Sequence, residues 1–87
     1  MNKTKDLFHQ ILDETPEEVK IEVDLSGDIS DKIDAILKEK GMTQKELAKL
    51  THTSEAAVSR WLGGTHNFTI TTIAKISAAL NCTIISV

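Results

Sequence analysis

Eighty-seven residues leave room for one small domain, or a domain with an appended arm, and for only a modest core. No apolar run approaches the roughly 18 residues of a membrane span, Met1-Asn2-Lys3 opens no secretory leader, and the single Cys82 excludes an internal disulfide, so a cytoplasmic protein is expected. The net charge of −3 is unevenly divided: residues 1–28 carry −5, and residues 29–87 carry +2.

That segregation predicts an acidic, mainly helical N-terminal arm over 1–28 and a second, basic unit over 29–87. Within the arm, Leu7, Phe8, Ile11 and Leu12 fall on one side of a short amphipathic helix over 4–13. Thr15-Pro16-Glu17-Glu18 then reads as a helix start, with threonine as cap and proline at the first position. The following stretch is ambiguous. Val19 and Val23 suit a helix, whereas Ile21, Val23 and Leu25 alternate with charged residues as in a strand; the cap favours helix. Ser26-Gly27-Asp28 is expected to break or bend it.

A new helix is expected from Ser30, with Ile33, Ile36 and Leu37 inward and Gly41 as its stop. Residues 43–64 then read as two short helices about a tight turn. Thr43 caps the first, Glu46 completes a capping box, and Met42 with Leu47 forms a hydrophobic staple. Leu47, Ala48 and Thr51 face inward, and only Thr51, His52 and Thr53 separate the two helices. The second begins at Ser54, with Val58, Trp61 and Leu62 as its apolar stripe. Helices this short are marginal alone and need neighbours. Outward they leave Gln44, Lys45, Glu55, Ala56, Ser59 and Arg60, small or hydrogen-bonding side chains suited to a groove.

After the Gly63–Asn67 loop, Thr69 caps a last helix, with Phe68 and Ile73 as staple and Ile70, Ile73, Ala74, Ile76, Ser77 and Leu80 inward. Asn81 suits the left-handed position that ends it. Residues 83–87, TIISV, are β-prone; a lone strand is unstable, so this tail is expected to pair with its copy in a homodimer. The expected fold is therefore an all-α bundle with a helical arm and a short C-terminal β-strand.

The stretch TQKELAKLTHTSEAAVSRWLGG resembles the helix-turn-helix of the Cro and lambda-repressor type, the xenobiotic-response-element family, and the likeness extends over about residues 29–80. The resemblance implies a phosphate-clamping role for Gln44, a buried pair at Leu47 and Ala48, a core anchor at Val58, and a helix-ending glycine at Gly64. Thr51, His52 and Thr53 depart from the family's usual apolar residue, glycine and valine; His52 would have to adopt positive φ. The stretch GTHNFTITTIAKISAAL also resembles antitoxins of the host-inhibition-of-growth type, a likeness that rests on His66-Asn67-Phe68-Thr69 and on Trp61-Leu62 just before it. Those proteins repress their own operons and bind an RNA-cleaving toxin.

The chemistry agrees with binding to double-stranded DNA. Gln44 at a helix N-terminus suits a phosphate oxygen. Ala56 and Ala57 keep the second helix slim enough to approach base edges, and Arg60 has the reach for guanine O6 and N7. Glu55 either accepts from cytosine N4 or simply faces water at a helix N-terminus. The candidate DNA contacts are Thr43, Gln44, Lys45, Ser54, Glu55, Ala56, Ser59 and Arg60, joined by Thr65, His66 and Asn67 from the loop. Three histidines and one cysteine lack zinc-site spacing, and Ser59 and His66 lack a nucleophile elbow or placed acid, so neither an enzyme nor a cofactor or metal site is expected. Two function classes stay open. One is a dimeric repressor, with a toxin as a further partner of its acidic arm. The other is a protein-interaction module of the same fold that reads no DNA.

Overall fold

A computed structural model describes residues 15–86, which form four helices. These are α1 (Glu17–Lys40), α2 (Gln44–Thr51), α3 (Glu55–Leu62) and α4 (Ile70–Leu80). The helix expected over 4–13 lies outside the described residues.

Helix α1 runs without interruption through Ser26-Gly27-Asp28 and across the expected boundary at residue 28. The expected break is therefore corrected. An interior glycine costs only about 1 kcal/mol in a helix, which burial of Ile29 and the buried hydrogen bond from the Ser30 hydroxyl to the Trp61 carbonyl offset. Residues 19–25 are helical, as the cap suggested. Pro16 stands one position earlier than expected, at the N-cap rather than inside the helix, and its carbonyl accepts from the N–H groups of Val19 and Lys20.

The short helices are closed as their sequences dictate. The hydroxyls of Thr43, Ser54 and Thr69 accept from the N–H groups of Glu46, Ala57 and Thr72. Glu46 completes the first cap differently from a standard box: its Oε1 accepts from the Thr43 hydroxyl at 3.2 Å. At the other ends Gly41, His52 and Asn81 adopt the left-handed conformation, with φ of 63°, 55° and 50°. Each is followed by a residue whose N–H reaches five positions back, which satisfies carbonyls that the helix leaves open.

One core holds these elements together. Ile33, Leu47, Val58 and Ile76 have no exposed surface, and Leu37, Ala48, Trp61 and Leu80 surround them. Helix α2 packs on both α3 and α4, and α1 packs on α3. At roughly 1.5–3 kcal/mol for each fully buried aliphatic side chain, this packing stabilises eight-residue helices that would not persist alone. Met42, Phe68 and Ile73, three of the four staple residues, pack partly buried against this core. The inward face of α4 is narrower than its sequence suggests, since Ile70 is 86% exposed and Ala74 also faces out.

The C-terminal strand is also corrected. Residues 83–86 contain no strand, and Ile84 is buried in the core, with Cys82 partly buried beside it. Placing Ile84 on its own core removes apolar surface without the entropic cost of recruiting a second chain.

Candidate nucleic-acid interface

Of the three departures from the family pattern at the turn, Thr51 and His52 are both accommodated, with Thr53 bonded to the first of them. Thr51 is the last residue of α2 rather than part of the turn, and it is buried. Its hydroxyl donates to the Leu47 carbonyl at 2.8 Å and lies 2.8 Å from the Thr53 hydroxyl. The polar atom is thus satisfied inside the core, where an unbonded one would cost about 1–3 kcal/mol. His52 supplies the left-handed turn itself, with φ 55° and ψ 41°. Its N–H donates to the Lys49 carbonyl, and the Thr53 N–H donates to that of Ala48. These bonds fix how α3 leaves α2.

Helix α3 then divides cleanly. Val58 and Trp61 are buried, which assigns the tryptophan to the core rather than to a stacking surface. Ala56, Ser59 and Arg60 lie three and four positions apart and are all exposed, so they share the outward face; Glu55 is exposed at its edge. Thr43, Gln44 and Lys45 are exposed around the N-terminus of α2, and Ser54 at the N-cap of α3. Both helix starts carry the partial positive charge of unpaired N–H groups.

The loop beyond α3 comes back to the same surface. Arg60, Gly63, Thr65, His66 and Asn67 line a shallow hollow of about 320 Å³. Gly64 turns the loop with φ 87°, a conformation costly for residues with a Cβ. Thr65 and Asn67 are exposed, while His66 is half-buried with its ring edge-on to Phe68 at 4.8 Å. Arg60 and the three loop candidates are therefore brought together.

Among the described residues the one ion pair is Lys38 to Asp34, at 2.8 Å and far from this face in sequence. Asp34 raises the pKa of the Lys38 ammonium, first through the hydrogen bond and then through its charge. Lys45, Lys49 and Arg60 have no such carboxylate partner there, so their charges remain available to an anionic ligand. Sequence reasoning passed over Lys49, although it is exposed in the last turn of α2. It also missed Ser30, whose hydroxyl donates to the Trp61 carbonyl and ties α1 to the end of α3. No local pattern signals a bond between residues 31 positions apart. No group of histidine, cysteine and carboxylate side chains able to hold a metal occurs among the described residues.

Neither the search of curated proteins nor that of solved structures finds a match. The family comparison does: the model of the Cro/C1-type HTH DNA-binding domain matches residues 32–85, more than half of the chain and the whole of the helix-turn-helix. With two capped helices about a left-handed turn and a slim polar face on the second, the chain belongs to the Cro/C1-type helix-turn-helix DNA-binding family.

Proposed function

We propose that this protein is a sequence-specific repressor that binds double-stranded DNA as a cytoplasmic homodimer. The observation that carries the reading is the face of α3, where Ala56, Ser59 and Arg60 stand exposed while Val58 and Trp61 are committed to the core. In this reading α3 enters the major groove and Arg60 reads guanine, with Ala56 against a thymine methyl. Thr43, Gln44, Lys45 and Ser54 hold phosphates at the two helix starts, and Thr65, His66 and Asn67 follow the backbone from the loop. Glu55 and Ser59 complete the base-facing set. A mobility-shift titration on the DNA upstream of the chain's own coding sequence tests the reading. A preferred site bound at least a hundredfold more tightly than random DNA is expected; equal binding, or none, would reject it.

A narrower role is supported by the resemblance at Trp61-Leu62 and His66-Asn67-Phe68-Thr69. There the protein is an antitoxin that represses its own operon and uses its acidic arm, residues 1–28, to engage a toxin. Co-purification with the product of the adjacent gene, and relief of that product's toxicity on co-expression, tests it. A second reading, a partner-neutralising module that reads no DNA, is favoured by the carboxylates of the N-terminal half of α1, residues 17–28, where Glu17, Glu18, Glu22, Asp24 and Asp28 stand against Lys20. Absence of any DNA shift together with partner capture would select it.

A further inference from the structure

The apolar row of α1 does not end where the core ends. Ile21, Leu25, Ile29 and Ile33 recur every four residues along one side of the helix. Ile29 and Ile33 are buried, whereas Ile21 and Leu25 are 51% and 54% exposed. Ile21, Leu25 and Ile29 form one wall of a groove of about 410 Å³ whose other side is Asn67, Phe68, Ile73 and Ile85. Glu18 and Glu22, one turn apart, line the same groove, and no lysine, arginine or histidine does. Neither carboxylate has an ion-pair partner among the described residues.

We propose that this groove, between the N-terminal half of α1 and the Phe68–Ile73 stretch that begins α4, is the docking site for a basic amphipathic helix of a partner protein. An apolar floor with acidic flanks is complementary to a helix that carries an apolar stripe bordered by lysine or arginine. A second copy of this chain is a poorer occupant, because it would bring its own Glu18 and Glu22 against these carboxylates. DNA is a poorer one still, since phosphates would meet the same charges. The site extends the partner-binding role proposed for the arm by giving it a place and an occupant. It needs no DNA, so its test and that of the repressor reading fail independently.

The test uses the full chain and a labelled synthetic 15-residue helical peptide with leucines at four-three spacing and lysines elsewhere, beside a twin in which glutamate replaces lysine. Fluorescence anisotropy is expected to show the lysine peptide bound at least tenfold more tightly than its twin. Ile21→Ser and Leu25→Ser, at half-exposed positions, should leave the thermal melt nearly unchanged and weaken that binding about tenfold. The double variant Glu18→Gln, Glu22→Gln should erode the preference for lysine. Equal binding of the two peptides, or binding indifferent to Ile21 and Leu25, would overturn the proposal. A free dimer dissociated by Leu25→Ser would assign the groove to a second copy instead. A tenfold gain in peptide affinity on Phe8→Asp would assign it to the chain's own first residues.

Discussion

Arg60 and Gln44 are both exposed on the helix-turn-helix, yet the proposed contacts demand different responses to substitution. Arg60→Ala should weaken a preferred site by about 1–3 kcal/mol and leave random DNA nearly unaffected, because its bidentate partner is a base. An equal loss on both DNAs would make it a phosphate contact. Gln44→Ala should weaken both DNAs alike, since a phosphate carries no sequence information. Unchanged affinity would remove Gln44 from the interface. Neither substitution should move the thermal melt, because neither side chain belongs to the core.

At the scale of the elements, both α1 and the tail contribute side chains to the core behind the candidate interface. Gly27 lies inside α1, and a Cβ built there meets nothing within 4 Å. Gly27→Ala should therefore stabilise the protein by about 0.5–1 kcal/mol, read as a raised melting temperature, because alanine loses less backbone entropy in a helix. A lower melting temperature would show that α1 needs flexibility at this point. The tail behaves in the opposite way. Ile84 is 5% exposed in the core, so Ile84→Ala should cost about 2–4 kcal/mol through lost burial and a residual cavity. In a denaturant titration this appears as a lower midpoint with little change in slope. A variant of wild-type stability that is merely more monomeric would restore a pairing role to the tail.

For the whole molecule, one recognition helix covers only part of an operator, and two-fold pairs of such domains read half-sites roughly 34–36 Å apart. Inserting about five base pairs between half-sites should abolish tight binding by rotating one site to the far side of the duplex, and inserting about ten should restore much of it. Binding indifferent to spacing would mean that the protein acts as a monomer. The charge distribution would give the proposed assembly a direction. Residues 29–87 are net +2, while residues 1–28 are net −5, so DNA and the proposed basic partner would be drawn to different parts of one small chain.

What the sequence determined by itself is local. Threonine or serine at 43, 54 and 69 specifies where three helices begin, and glycine or asparagine at 41 and 81 where two of them end, because capping needs only a side chain and the backbone a few residues away. The helix-turn-helix was legible for the same reason, as were its outward residues, since a 3.6-residue period sorts one face from the other. The placements that went astray depended on distant partners. Gly27 reads as a breaker until Ser26, Ile29 and Ser30 are seen to be buried, and the tail reads as a strand until Ile84 meets the core. Likewise only the tertiary structure leaves Ile21 and Leu25 open where the same row, at Ile29 and Ile33, is covered. Periodicity states that a face is apolar; what covers it is decided by which neighbours the folded chain can reach.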